Sequence, residues 1–145
     1  MRGFFILRPL MPYKLSSASI ANRAGVDRRL IEISDMAITI SHVDFGHGQF
    51  SGKRTAIEQN HLYTIGASKA DGYIIIGKHQ LGGALDAQAY INGVPSWEQN
   101  HLAMVATAFL QSASILGYKL EWGGLWRAPA GSIYGWDMPH FQLQD

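Results

Sequence analysis

Residues 77–86 read Gly-Lys-His-Gln-Leu-Gly-Gly-Ala-Leu-Asp, and this stretch decides which fold and which site the chain is expected to have. Asp86 lies in an otherwise small and apolar segment, where a buried carboxylate is costly unless a cation compensates its charge. His79 precedes it across two glycines, which allow the backbone to turn sharply and bring a loop histidine beside a strand aspartate. Two interpretations remain open: the pair holds a metal ion, or Asp86 is exposed to solvent and His79 is structural.

A second histidine near the end of the chain could complete a metal site. Pro139 leads into an alternating segment, in which His140 and Gln142 would lie on one face of a strand. Three protein ligands of the N and O type, with a fourth position open, are typical of catalytic zinc. The chain has no cysteine, so histidine and carboxylate remain to hold a transition metal. His79, Asp86 and His140 are therefore predicted to bind Zn²⁺.

Two further charged residues fit a hydrolytic role around such a metal. Asp137 lies three residues before the last histidine and is predicted to be the base that takes a proton from water. Arg54, in the segment Ser-Gly-Lys-Arg-Thr at residues 51–55, is predicted to supply positive charge to a carbonyl oxygen under attack. Considered alone, Arg54 could equally form a surface salt bridge.

The remaining histidines are predicted to have structural or surface roles. His42, Asp44 and His47 have a ligand-like spacing, but nearby glycines indicate a turn and no base accompanies them. His61 and His101 fall within predicted helices, at ordinary surface positions.

The composition is that of one globular domain. Of 145 residues, 47% are hydrophobic and 16% are charged, which allows a buried core and does not indicate disorder. A net charge of +1 argues against a dedicated nucleic-acid-binding surface. No stretch approaches the ~18 apolar residues of a membrane-spanning helix, so no membrane insertion is expected. The chain is expected to be a monomer.

The first residues differ in character from the rest. Residues 4–7 are apolar, but Arg8 and Pro9 interrupt this run before it reaches the roughly 7–15 residues of a signal peptide. Residues 1–14 are predicted to be a poorly ordered arm, which leaves residues 15–145 as the domain that carries the predicted site.

Hydrophobic periodicity predicts helices early in the chain and strands late. Helices are predicted, from spacings of three and four, over residues 16–40 (with a break at Gly25), 55–65 and 97–116. Alternation predicts strands over residues 84–91, 118–122 and 139–143, and a strand or loop over 42–50. Thr55 and Glu58 have the spacing of a capping box. Without regular βαβ alternation, the pattern indicates the α+β class, with an antiparallel sheet flanked by helices in a single small domain.

Considered together, the three segments resemble one family of zinc peptidases. Residues 51–55 with Gln59 are similar to its Ser-Gly-x-Arg-Thr…Gln segment, residues 79–86 to His-x-x-Gly-x-Ala-x-Asp, and residues 137–140 to Asp/Glu-x-x-His. The family comprises D-alanyl-D-alanine carboxypeptidases and L-alanyl-D-glutamate endopeptidases, and the resemblance is greatest to small phage endolysins. It extends over residues 15–143.

Two positions depart from the family's pattern. Leu125 stands where relatives often have aspartate, and Gln142 stands where they often have glutamate. Neither is a predicted ligand, so these departures bear on substrate contacts and on the groups that support the ligands.

The resemblance implies a Hedgehog/DD-peptidase-like fold and a zinc peptidase catalytic domain over residues 15–145. It implies a peptidoglycan stem peptide as substrate, cut between L-alanine and D-glutamate, and a role in lysis of the host cell. It also implies that the protein stays in the host cytoplasm until a holin allows its release to the periplasm. Trp126 is predicted to contact the substrate, because exposed aromatic rings offer contact area.

Two other functions remain open from the sequence. A D-alanyl-D-alanine carboxypeptidase would use the same metal chemistry and would need a cationic pocket for a terminal carboxylate, for which Lys53, Lys78 or Arg127 could serve. A catalytically silent wall-binding domain could keep the fold and the zinc. Asp137 and Arg54 argue against the silent domain, because binding alone requires neither.

Overall fold

The structure is a computed structural model that describes residues 12–145. The predicted arm over residues 1–14 therefore lies almost wholly outside the described residues. Within them, no helix combines the length and the apolar character needed to cross a membrane. The α-helices of the described part are α1 (Ser17–Asn22), α2 (Arg28–Ile40), α3 (Ala56–Thr64) and α4 (Gln99–Leu116).

Local capping signals set where these helices begin and end. The Thr55 hydroxyl accepts a hydrogen bond from the Glu58 N–H, and the Glu58 carboxylate accepts one from the Thr55 N–H, which confirms the predicted capping box. Gly25 has a φ of 80° and separates α1 from α2, as predicted. Gly117 has a φ of 79° and ends α4.

The short strands of the described chain form two sheets. They are β1 (Asp44–Gly46), β2 (Ala84–Asp86), β3 (Gln88–Ile91), β4 (Val94–Ser96), β5 (Leu120–Trp122) and β6 (His140–Leu143). One antiparallel sheet has the order β1-β3-β4, and the other has the order β2-β6-β5. The α+β class and the antiparallel pairing are confirmed, and the strands divide between two sheets.

The predicted strand over residues 84–91 divides at Ala87, and this division creates the second sheet. Before Ala87 the chain pairs with β6, and after it the chain pairs with β1. Asn92 and Gly93, with φ of 50° and 77°, then form a tight turn, as Asn-Gly pairs commonly do between antiparallel strands. The chain then returns as β4, which pairs with β3. The sequence did not predict this strand, because the residues after the turn were expected to lead directly into α4.

The core lies between the sheets and the packed helices α2 and α4. Phe109 of α4 stacks on Phe141 of β6 with ring centroids 4.3 Å apart, and both rings are buried. Burial of one such side chain contributes ~1.5–3 kcal/mol. Because side chains alternate along a strand, Phe141 fixes β6 against the core while His140 and Gln142 project from its other face. That face carries the candidate site.

Candidate metal centre

Three side chains from two strands and a loop converge at one point. Asp86 on β2 and His140 on β6 are paired residues of one antiparallel ladder. Gly82 turns the chain between His79 and β2 with a φ of 73°, a conformation that residues with a side chain rarely adopt. The described residues therefore bring together His79, Asp86 and His140, the three ligands predicted from the sequence.

The separations of the potential ligand atoms fit a tetrahedral metal ion. His79 Nε2 lies 3.1 Å from His140 Nδ1 and 3.2 Å from Asp86 Oδ1. His140 Nδ1 lies 3.3 Å from the same Asp86 oxygen. Ligand atoms held at ~2.0–2.1 Å from a tetrahedral zinc ion are about 3.3 Å from one another. The three atoms therefore have the spacing of one face of a zinc tetrahedron.

Hydrogen bonds select the ring nitrogen that each histidine can offer to a metal. His79 Nδ1 donates to the Gly52 carbonyl oxygen at 2.9 Å, so the lone pair is on Nε2. His140 Nε2 donates to Oε1 of Gln142 at 2.9 Å, so the lone pair is on Nδ1. These are the two nitrogens that face Asp86, and such outer hydrogen bonds commonly orient metal-ligating histidines. Gln142, a departure from the family's pattern, thus supports a predicted ligand.

The Asp86 carboxylate has one buried oxygen without a partner. Its Oδ1 receives no hydrogen bond from any residue that the structure describes, whereas its Oδ2 accepts one from Arg54 Nη2 at 3.2 Å. A buried and unpaired carboxylate oxygen is costly. A cation between the three ligand atoms would satisfy it, and a donor set of two imidazoles and one carboxylate suits zinc.

The electrostatics of the cluster favour positive charge. Burial by itself lowers the pKa of His140, but the adjacent Asp86 carboxylate outweighs burial and raises this pKa. Burial by itself raises the pKa of Asp86, but His79 and His140 outweigh it and hold this pKa well below its usual range. Asp86 therefore stays ionised and attracts a cation to the cluster.

The backbone of Asp86 is held from both sides by one segment, residues 47–54. The Asp86 N–H donates to the Ser51 carbonyl oxygen at 2.9 Å, and His47 Nδ1 donates to the Asp86 carbonyl oxygen at 2.6 Å. The second ring nitrogen of His47, Nε2, accepts from the Ser34 hydroxyl at 2.7 Å. His47 is only 2% exposed. His47 was predicted to have a structural or a surface role, and these contacts show that its role is structural.

Asp137 lies beside the cluster and lines the cleft above it. Its Oδ2 is 3.8 Å from His140 Nδ1. A Cβ on Gly123 would lie 2.1 Å from the Asp137 carbonyl oxygen, so only glycine allows the chain to pass this close. Burial and the negative charge of Asp86 raise the pKa of Asp137. A carboxylate with a raised pKa suits a group that must accept and later release a proton.

Arg54 is fixed in the cleft by three hydrogen bonds. It donates from Nε to the Phe50 carbonyl oxygen at 2.7 Å, from Nη1 to Gln59 Oε1 at 3.1 Å, and from Nη2 to Asp86 Oδ2. A guanidinium carries five N–H donors, so one remains on each terminal nitrogen. Arg54 does not form the surface salt bridge considered from the sequence. Its side chain is only 11% exposed, and its carboxylate partner Asp86 is partly buried in the cleft.

An open cleft of about 240 Å³ lies over the cluster. Trp126 and Trp136 both line it, with ring centroids 5.2 Å apart, and the Trp126 ring lies 5.1 Å from the His140 ring. Trp122 is instead buried in the core, where its indole N–H donates to the Met138 carbonyl oxygen. The cleft gives Trp126 the access that the predicted substrate contact needs.

Glu121 connects Trp126 to the predicted ligands, a role that the sequence did not reveal. Its carboxylate accepts from the Trp126 indole N–H and from Nε2 of Gln142, the latter at 3.3 Å. Gln142 in turn orients His140. The link depends on the pairing of Glu121 with Gln142 across β5 and β6, and nothing in the local sequence specifies that register.

Comparisons with known proteins give the family of the chain. Residues 11–143 match the family described as phage L-alanyl-D-glutamate peptidase. The crystal structure of Serratia marcescens L-Ala D-Glu endopeptidase ChiX is similar, with a TM-score of 0.73 and 31% sequence identity over 88% of this chain and 87% of that chain. No curated protein matches the chain significantly. The resemblance inferred from the motifs is confirmed, and the chain belongs to the family of phage L-alanyl-D-glutamate peptidases.

Proposed function

We propose that this peptidase is a zinc-dependent endopeptidase that hydrolyses the bond between L-alanine and D-glutamate in peptidoglycan stem peptides. The observation that carries the proposal is the convergence of His79, Asp86 and His140, with Asp137 and Arg54, in one cleft. Family membership and the similar Serratia endopeptidase support the bond that is cut.

The chain's own residues have distinct roles in this proposal. His79 Nε2, Asp86 Oδ1 and His140 Nδ1 would hold the metal. Zinc, when bound, supplies Lewis acidity, which polarises a carbonyl group and lowers the pKa of water to roughly 7. Asp137 Oδ2 takes a proton from the attacking water and later delivers it to the leaving amine.

Arg54 stabilises the negative charge that develops on the carbonyl oxygen of the substrate. Its position is fixed by Phe50, Gln59 and Asp86, so its two remaining N–H donors need no reorganisation during the reaction. Trp126 contributes contact area for the peptide beside His140.

The alternatives are less well supported. Of the three cations considered for a carboxypeptidase's terminal-carboxylate pocket, Lys53 and Arg127 are not among the residues that line the cleft. Lys78 lines it, but its Nζ lies 3.8 Å from the Asp145 carboxylate. A silent wall-binding domain would not need Asp137 and Arg54 in the same cleft.

The biological role proposed is lysis of the host cell by a phage. The protein would act as a monomer, and it would stay in the host cytoplasm until a holin opens a path to the periplasm. Production in the cytoplasm of a Gram-negative host should leave the cells intact, and permeabilisation of the inner membrane should then cause lysis. Lysis without permeabilisation would contradict the dependence on a holin.

The test of the cleavage site is mass spectrometry of purified Gram-negative peptidoglycan after incubation with the protein, with and without a chelator. Stem peptides that begin at D-glutamate, released only without the chelator, are expected. Release of terminal D-alanine would favour the carboxypeptidase, and unchanged peptides would favour the binding domain. His79→Ala should release nothing, whereas the control His61→Ala, an exposed histidine on α3, should behave as the parent protein.

A further inference from the structure

A buried glutamine shapes one wall of the cleft. Gln59 is 1% exposed, and its amide nitrogen donates to the Ser68 hydroxyl at 2.7 Å and to the Ala70 carbonyl oxygen at 2.8 Å. Its amide oxygen accepts from Arg54 Nη1. The two residues on either side of Lys69 are therefore fixed, through one side chain, to the arginine of the site.

Lys69 brings a positive charge to this wall. Its Nζ lies 4.4 Å from the ring centroid of Trp136, which also lines the cleft. The other two cations that line the cleft each have a carboxylate partner, Asp86 for Arg54 and Asp145 for Lys78. Among the residues that the structure describes, no carboxylate lies within salt-bridge distance of Lys69. Its charge is therefore available to a ligand in the cleft.

The substrate class named above carries a matching group. A glutamyl residue has two carboxyl groups, and only one of them can continue the peptide chain. The other is therefore a free carboxylate, or its amide, on the residue that follows the scissile bond. A lysine ammonium is a compact point charge on a flexible stem, so it can follow such a carboxylate without a fixed bidentate geometry.

We propose that Lys69 forms a subsite for the free carboxylate of the D-glutamyl residue beside the scissile bond, and that it makes the enzyme prefer this residue over its amide. The inference rests on the proposed function. Trp136 holds the ammonium at the cleft by a cation–π contact, and Gln59 fixes the backbone that carries it. Lys69 is in this view a specificity residue and takes no part in proton transfer.

The experiment compares two synthetic stem peptides that differ only in the group that does not continue the chain on the D-glutamyl residue after L-alanine: a free carboxylate in one, the D-glutamate peptide, and its amide in the other. With the zinc-loaded protein we expect kcat/KM to be about 10- to 100-fold higher for the D-glutamate peptide, the range of a hydrogen bond to a charged group. Lys69→Gln should remove this preference by lowering kcat/KM for the D-glutamate peptide alone, mainly through KM. Lys69→Arg should restore part of it. Lys119→Gln, which removes an exposed charge away from the cleft, is the matched control.

The outcomes separate this inference from the proposed function. If the parent protein cleaves the D-glutamate peptide and Lys69→Gln keeps the same preference, the subsite is refuted and the endopeptidase stands. If Lys69→Gln lowers kcat equally for both peptides, Lys69 supports the structure of the cleft and does not distinguish the carboxylate from the amide. That result also refutes the subsite. If the parent protein cleaves neither peptide, the endopeptidase function fails and the subsite fails with it.

Discussion

His47 allows a quantitative test of how the metal site is held. Replacing His47 by alanine removes the donor to the Asp86 carbonyl oxygen and the acceptor of the Ser34 hydroxyl, which are hydrogen bonds of 2.6 and 2.7 Å. Each buried group left unpaired costs ~1–3 kcal/mol, so about 2–6 kcal/mol of unfolding free energy should be lost. A domain typically has only ~5–15 kcal/mol in total. The alanine variant therefore tests folding more than metal binding.

Two conservative variants separate these effects. In His47→Asn the side-chain amide nitrogen can take the place of Nδ1 and still donate to the Asp86 carbonyl oxygen. In His47→Gln the longer side chain places its amide near the position of Nε2, where it can still bond to the Ser34 hydroxyl. Each variant keeps one of the two hydrogen bonds, so each should lose a similar ~1–3 kcal/mol of stability. Only His47→Gln leaves the Asp86 carbonyl unheld. Its zinc dissociation constant should rise about 10–100-fold, the usual effect of losing a group that supports a ligand.

Zinc competition with a chromogenic chelator gives the dissociation constants, and urea unfolding of the metal-free proteins gives the stabilities. The expected result is similar stability for the two variants and clearly weaker zinc binding by His47→Gln than by His47→Asn. Equal zinc affinities at equal stability, or weaker binding by His47→Asn, would refute the conclusion that His47 positions Asp86.

Three further predictions follow from the same geometry. Burial lowers the pKa of His47 from 6.5 to about 4. Between these pH values the unfolded chain binds a proton that the native chain does not, so the free energy of unfolding should fall as the pH falls. Urea titrations at several pH values should show this contribution in the parent protein and not in His47→Asn. Asp137→Ala should keep its zinc and lose cleavage by about 10²–10⁴-fold, and loss of zinc instead would identify Asp137 as a ligand. Arg54→Ala should lower kcat by about 10²–10³-fold, and an unchanged rate would remove its oxyanion role.

What the sequence predicted well was local. Thr55 and Glu58 form the expected capping box because both partners lie within one helical turn. The anomaly of an aspartate in an apolar strand pointed to Asp86, since burial of a carboxylate demands compensation wherever the strand lies. The motif around His79 and Asp86 then identified the family, which the match over residues 11–143 confirmed.

What the sequence did not predict depends on register and on contacts between distant segments. Residues 84–91 look like one strand, because alternation continues through Ala87 and does not reveal that the hydrogen-bonding partner changes there. His47 was assigned no particular partner, since its contact with Asp86 spans 39 positions of the chain. Gln59 and Glu121 were missed as organisers of the cleft for the same reason.

The central claim is that a metal held by His79, Asp86 and His140 enables cleavage after L-alanine. The most direct measurement is to remove the metal from the protein and titrate zinc back. In each sample, elemental mass spectrometry gives the bound zinc, and a synthetic L-alanyl-D-glutamyl peptide gives the cleavage rate. We predict that the rate rises in proportion to bound zinc and saturates at a single ion per chain. Cleavage by the metal-free protein, or a fully zinc-loaded protein that leaves the peptide intact, would contradict the account.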